Sequence, residues 1–242
     1  MEREEWGQRA RADLERACEL RRAGEASGAR LRAMVRGRRR ERMRELHGAL
    51  WGSASSARAA DFFLDDVYPE RAQEWRDAQA LRALGSMARL MPMSALEALG
   101  EAARLDELTE GIDAGVQGRL ARMGWGSAGE EPAGGAGEGF GEACDKAAWM
   151  GGPSESREQR EALGRVARAL VSAARLPFAR QALGAMRLPA RLAGLSGLQG
   201  FLERGLGAFA GLGDARGFCE GLVEREEQGQ RELDARFSSR VG

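Results

Sequence analysis

ALEALGEAARLDELTEGIDAGVQGRLARM, residues 95–123, is the clearest helical segment of the sequence. Apolar side chains recur along it every three or four residues, which places them on one face of an α-helix. The repeating positions are Leu96, Leu99, Ala103, Leu108, Ile112, Val116, Leu120 and Met123. The other face is acidic, and Ser94 with Glu97 matches the capping-box pattern of a helix start. The segment therefore predicts a long helix that buries one side.

Residues that favour β-strands are scarce throughout the chain. Its 242 residues include seven Val, one Ile, one Thr and one Tyr, whereas Ala, Leu, Arg and Glu are abundant. Strands prefer β-branched and aromatic residues, and the abundant residues are good helix formers. We therefore predict an all-α fold, a helical bundle of about seven or eight helices with no sheet.

Glycine-rich segments divide the helical pattern. Residues 124–141 hold eight glycines in 18 positions, which is typical of a flexible connector outside the core. We expect an N-terminal helical half, residues 1–123, and a C-terminal half, residues 142–242, packed together as one domain. The shorter sequence GEASG, residues 24–28, is expected to interrupt the first helix.

Composition also limits the possible settings. The formal net charge is zero, so no global field attracts nucleic acid or membrane. The three cysteines are scattered without a CxxC pair, which favours free thiols in a reducing compartment. The N-terminus is charged throughout, and the apolar run 192–202 is too short to span a bilayer. We predict a cytoplasmic protein without a membrane span.

An aromatic and acidic motif, FFLDDVY, occupies residues 62–68 and is followed by WRDAQ, residues 75–79. A helix over 57–68 should end before Pro69, because proline disfavours helical geometry in the residue before it. Carboxylates in the last turn of a helix oppose its dipole, so Asp65 and Asp66 need a nearby cation. We expect one from residues 30–44, or Arg71 or Arg76.

This motif and its flanks resemble the FFLEELY-motif family of uncharacterised bacterial proteins. The resemblance extends over roughly residues 30–227, with Val67 where that family usually has Leu. It implies a helical fold in a bacterial cytoplasm and no known activity, and it transfers no catalytic residue. The candidate site, as core scaffold or as binding surface, comprises Phe62, Phe63, Asp65, Asp66, Tyr68, Arg76 and Asp77.

The sequence contains no recognisable catalytic or metal-binding motif. His47 is the only histidine, so paired Glu-x-x-His iron motifs and a multi-histidine zinc site are excluded. No GxSxG sequence provides a nucleophile elbow. A single histidine beside Leu46 and Leu50 is expected at the surface or its boundary. We expect no catalytic residue, no metal and no cofactor, and we favour a protein that is not an enzyme.

Eight arginines and one glutamate lie within residues 30–44. Clustered arginines on a helix can follow phosphates, so this run is a candidate anion or nucleic-acid contact. Its candidate residues are Arg36, Arg38, Arg39, Arg40, Arg42 and Arg44. Acidic residues are in excess over 61–77 and 95–123, and we favour these as internal partners of the arginines.

Taken together, these patterns favour a non-enzymatic protein-interaction or scaffold protein whose partner is unknown. Two alternatives stay open: nucleic-acid binding through the Arg-rich helix 30–44, and binding of an apolar small molecule or lipid in the C-terminal half. The last helix should begin after Asp214 as its N-cap. Its charged second half, EREEQGQRELDAR, is expected to project into solvent.

Overall fold

The computed structural model describes residues 2–52, 54–69, 74–90, 92–125 and 139–238. Over these ranges the chain forms ten α-helices and no strand, which confirms the all-α prediction with more helices than the seven or eight expected. The helices are α1 Arg3–Trp51, α2 Ala54–Phe62, α3 Glu74–Leu90, α4 Met93–Arg122, α5 Phe140–Trp149, α6 Pro153–Ala174, α7 Ala179–Ala185, α8 Arg187–Leu192, α9 Ser196–Ala210 and α10 Ala215–Ser238.

The first helix is bent where the sequence predicts an interruption. Gly28 has φ 155° and ψ 80°, a conformation that side-chain-bearing residues rarely adopt. The chain continues helically on both sides of this kink. The second arm carries the arginine run, and α1 packs extensively along α4.

The core is built from three groups of apolar side chains. The largest brings Phe63 of the motif together with Phe209 of α9, Phe218 of α10 and Val166 of α6. A second joins α1, α3, α4 and α9, and a third joins α1, α4 and α5. The close approach of α2 and α9 needs a glycine, because a Cβ at Gly205 would lie 2.8 Å from the Phe62 ring.

Helix ends follow the sequence in part. Asp214 accepts a hydrogen bond from the Gly217 N–H at 2.9 Å, which confirms the predicted cap of α10. The capping box predicted at Ser94 is wrong, because α4 begins at Met93 with Pro92 as its N-cap and no side-chain cap. Proline with its fixed φ already suits a helix start.

The second half of α10 was expected in solvent, and this expectation is wrong. Leu233 and Phe237 are buried, because α10 packs on α1, α5 and α6 along its length. Residues 126–138 of the predicted connector lie outside the described residues, and the division into two halves stays a prediction. None of the described helices is both long and apolar enough to cross a membrane.

Candidate functional site: the FFLDDVY motif and the cavity beside it

The motif contains one wide helical turn. Residues Phe63–Val67 form a π-helix that continues α2, and the Tyr68 N–H donates to the Phe63 carbonyl at 2.7 Å. Such i→i+5 turns leave carbonyls poorly satisfied and occur frequently at functional sites. Here Arg40 of α1 supplies the missing donors. Its guanidinium donates to the Leu64 carbonyl and, at 2.9 Å, to the Tyr68 carbonyl.

The two motif carboxylates have separate cations. Arg40 also donates to Asp65 Oδ1 at 3.1 Å, so the predicted pair between the motif and the arginine run is present. Asp66 is buried and accepts two hydrogen bonds from the Arg204 guanidinium of α9, from Nε at 3.0 Å and from Nη2 at 2.5 Å. Arg76 of α3 donates to the Asp66 carbonyl at 2.6 Å. Arginines of α1, α3 and α9 therefore all bind this turn.

We expect Asp66→Ala to lower the free energy of unfolding by about 1–3 kcal/mol, because it removes two charged hydrogen bonds accepted by a buried carboxylate. Asp65→Ala is the matched control, since the Asp65 side chain is 69% exposed and its partner Arg40 keeps the Leu64 and Tyr68 carbonyls as acceptors. Exposed ion pairs contribute under about 1 kcal/mol, so this variant should unfold near the wild type. Urea unfolding of the purified variants measures both. Equal losses at the two positions would contradict this assignment.

A buried ion network continues from the motif into α4. Asp77 pairs with Arg76 at 3.2 Å and with Arg21, whose guanidinium also binds Asp106 through two 2.9 Å hydrogen bonds. Glu110 is the centre of the network. Its carboxylate is contacted by Arg21 at 3.3 Å, Arg32 at 2.5 Å and Arg36 at 3.4 Å.

The arginines around Glu110 determine the direction in which its pKa is shifted. Burial by itself would raise the pKa of the carboxyl, but Arg21, Arg36 and Arg32 outweigh it and lower the pKa to about 2. The charged carboxylate is therefore an integral part of the packing between α1 and α4.

Most candidate arginines of the run bind groups of the chain itself. Five of its six candidate residues contact acceptors or carboxylates of other helices or of α1 itself: Arg36 with Glu25 and Glu110, Arg38 with Glu45 and Asp145, Arg39 with Asp113, Arg40 with the motif, and Arg42 with the Gly229 carbonyl. Arg44 is exposed. The acidic residues of α4 were expected to be internal partners of the run, and they form ion pairs with Arg36 and Arg39.

His47 is fully buried, so its expected place at the surface is wrong. Its Nε2 lies 2.8 Å from Glu226 Oε1 of α10, and its ring stacks on Trp51 with centroids 5.3 Å apart. The buried second half of α10 is what covers it. No cluster of histidine, cysteine or carboxylate side chains suited to a metal ion occurs among the described residues.

Tyr68, the last residue of the motif, lines an open cavity of roughly 130 Å³, called here the Tyr68 cavity. Its walls come from α1, α4, α5, α6 and α10. The Arg39 guanidinium lies over the Tyr68 ring, 5.2 Å from its centroid, and the Thr109 side chain hydrogen-bonds the hydroxyl. Burial, and then the charge of Glu226, raise the pKa of this hydroxyl, so it stays protonated at neutral pH.

A sequence-family model for a domain of unknown function (DUF8198) matches residues 19–239. The chain belongs to this family. No curated protein and no solved structure matches it. The DUF8198 match includes the motif, the arginine run and the Tyr68 cavity, and it agrees with the predicted membership of an uncharacterised family. It does not test the FFLEELY resemblance, which stays a prediction.

Another surface of the DUF8198 chain could not be located from sequence alone. Four large apolar side chains between α6 and α9 point into solvent: Phe178 is 76% exposed, Met186 46%, Leu188 56% and Leu192 79%. We call this segment, residues 175–192, the α7–α8 face. Both helices of this face are too short to bury a full apolar stripe.

Proposed function

We propose that this DUF8198 chain is a non-enzymatic interaction protein that docks an acidic protein partner on the α7–α8 face. The observation that carries the proposal is a group of four exposed large apolar side chains, two at the ends of α7 and two on α8. Large exposed apolar side chains gathered in one short segment are typical of interaction sites.

The charge around these side chains indicates the sign of the partner. Four arginines, at positions 175, 180, 187 and 191, are exposed on the same segment. Residues 162–202 contain no Asp or Glu, and the nearest counter-ion, Glu203, pairs with Arg187 at 2.8 Å. Arg175, Arg180 and Arg191 form no ion pair with a described residue. A surface of Phe, Met, Leu and Arg without acids has the composition of an interface core facing an acidic surface.

Backbone geometry at the start of α7 supports the same conclusion. Phe178 has φ 61° and ψ 6°, in the left-handed region that bulky residues avoid. Strained residues of this kind cluster at binding sites. The conformation holds an aromatic ring in solvent, where it can act as an anchor for a partner.

Nucleic-acid binding through Arg36–Arg44 has less support. Phosphate contacts require accessible guanidinium groups, whereas five of those six arginines are engaged with groups of the chain itself. Exposed Leu188 and Leu192 would gain nothing from phosphates. These contacts favour the protein-interaction hypothesis over its first alternative.

The experiment places a photo-reactive phenylalanine analogue at position 188 and, as a control, at position 150. Met150 is an exposed apolar residue at the end of α5, a helix that packs on α1, α4 and α10. The protein cross-linked only from position 188 is identified and purified, and its affinity is measured by calorimetry. We expect Phe178→Ser and Leu192→Ser each to raise Kd about tenfold or more, since anchor residues contribute about 1–2 kcal/mol or more.

Met150→Ser should bind like the wild type, and added salt should weaken binding because rim charges contribute. The proposal fails if the purified partner binds all four proteins equally. It also fails if position 188 cross-links only another copy of the chain, or if binding is found only to anionic lipid vesicles.

A further inference from the structure

Two arginines that line the Tyr68 cavity are hydrogen-bonded only to neutral acceptors among the described residues. Arg160 of α6 donates to Gln230 Oε1 at 3.3 Å, and Arg42 of α1 donates to the Gly229 carbonyl at 2.9 Å. Neither forms an ion pair with any residue in the described part of the chain. Both line the cavity. Two guanidinium groups that line the same cavity and are bound only by neutral acceptors favour an anionic ligand.

The carboxylates that also line the cavity are already engaged. Asp113 pairs with Arg39, Asp145 with Arg38 at 2.9 Å, and Glu226 with His47 at 2.8 Å. The fourth, Glu155, lies 3.9 Å from Arg119. Glu226 is hydrogen-bonded to a histidine, which is charged only if protonated, so the Glu226 carboxylate offsets one of the two arginines and leaves the other without a carboxylate.

Burial adds to the demand for an anion. Burial lowers the pKa of Arg160 and outweighs four nearby carboxylates that raise it. These are Glu226, Glu227, Asp234 and Glu161, and none forms an ion pair with Arg160 among the described residues. Arg39 has a buried Nε without a hydrogen-bond partner in the described chain, and Arg39 lines the same cavity.

The remaining wall is apolar and limits the size of the ligand. Its side chains include Val35, Met43, Ile112, Val116, Leu163 and Leu233. At roughly 130 Å³ the cavity is close to one known to hold benzene, so it accepts on the order of six to eight non-hydrogen atoms. Inorganic phosphate would leave this apolar wall uncovered.

We propose that the Tyr68 cavity binds a short-chain organic carboxylate, with its carboxylate on Arg42 and Arg160 and its hydrocarbon part on the apolar wall. The Tyr68 hydroxyl and the Gln159 amide, linked through Thr109, give the cavity a polar end with donors already oriented. The site is distinct from the α7–α8 face and does not depend on the proposed partner.

The test is calorimetric titration of the full chain with butyrate and hexanoate. Butanol and butylamine serve as neutral and cationic molecules of similar size, and inorganic phosphate as a bare anion. We expect saturable binding of the carboxylates only. Arg160→Gln should weaken it about tenfold to a hundredfold, the effect of losing one charged hydrogen bond.

Arg157→Gln is the matched control, because Arg157 is exposed three residues earlier on α6. It should bind like the wild type. Arg42→Gln, the second variant, should weaken binding as Arg160→Gln does, and circular dichroism verifies that each variant is folded. The proposal is overturned if neither carboxylate binds in the millimolar range, if phosphate or butanol binds equally well, or if folded Arg160→Gln and Arg42→Gln keep wild-type affinity.

Discussion

Glu110→Gln should lower the free energy of unfolding by about 3–5 kcal/mol, because it leaves buried guanidinium groups without their shared carboxylate. Glu110 is 4% exposed and contacts Arg21, Arg32 and Arg36. The variant keeps the shape of the side chain and removes its charge. Urea unfolding monitored by circular dichroism at neutral pH measures the loss.

Glu161→Gln on α6 makes the same chemical change at a side chain that is 60% exposed and 3.9 Å from Arg165. It should cost under about 1 kcal/mol. If Glu110→Gln is no more damaging than this control, the buried network does not hold α1 against α4.

The same carboxylate predicts how stability depends on pH. Its pKa in the folded chain, about 2, lies below its ordinary value of 4.5. A group whose folded pKa is lowered stabilises the protein above its unfolded pKa, and this stabilisation disappears as the pH falls through the folded pKa. The gap between wild type and Glu110→Gln should therefore narrow between about pH 5 and about pH 2, by roughly 3 kcal/mol. A gap that stays constant over this range would contradict the assignment.

Phe63→Ala should lower the free energy of unfolding by about 3–5 kcal/mol, the usual cost of removing a core aromatic side chain. Phe63 is fully buried, with ring centroids 5.8 Å from Phe209 and 6.4 Å from Phe218. These contacts join the motif to α9 and α10, so a void here affects both. Thermal and urea unfolding provide the measurement.

Phe178→Ala is its matched control, since Phe178 is 76% exposed. This substitution should change stability by no more than about 0.5 kcal/mol, as expected of surface positions. Similar losses for the two variants would mean that Phe63 is not the anchor of the largest apolar group.

Local patterns were sufficient to predict most of the fold. The stripe over 95–123 matches α4, the GEASG segment matches the kink at Gly28, and Pro69 follows the helical part of the motif. These features depend on residues close in sequence. The buried end of α10 was missed because Leu233 and Phe237 stand among charged residues, and their cover comes from α1 and α5.

The candidate site was harder to predict, because its partners are distant in sequence. The pairing of Asp65 with the arginine run was expected, since the acid opposes a helix dipole and Arg40 is only 25 residues away. Arg204, which binds Asp66, is 138 residues away on α9. No local pattern announces a π-helix whose carbonyls are satisfied by another helix.

One signal for the ion network was present in the sequence. Asp106, Glu110, Asp113 and Gln117 recur every three or four residues, which places them on one face of α4. Polar residues that share one face of a helix recur every three or four residues, as apolar residues do. Arg32, Arg36 and Arg39 are spaced in the same way on α1, and they pair with Glu110 and Asp113 of α4. A polar stripe on each of two long helices predicts that they face each other.

The π-helix also makes the number of residues in the motif matter as much as their identity. Each residue of an α-helix advances the chain by about 100°. Deleting one residue between Phe63 and Val67 would restore ordinary helical winding and turn everything after it by about that angle. Tyr68 would then leave its cavity, and Arg40 would face carbonyls that no longer need a donor. Members of the family that keep this turn should therefore tolerate substitutions within it more readily than insertions or deletions.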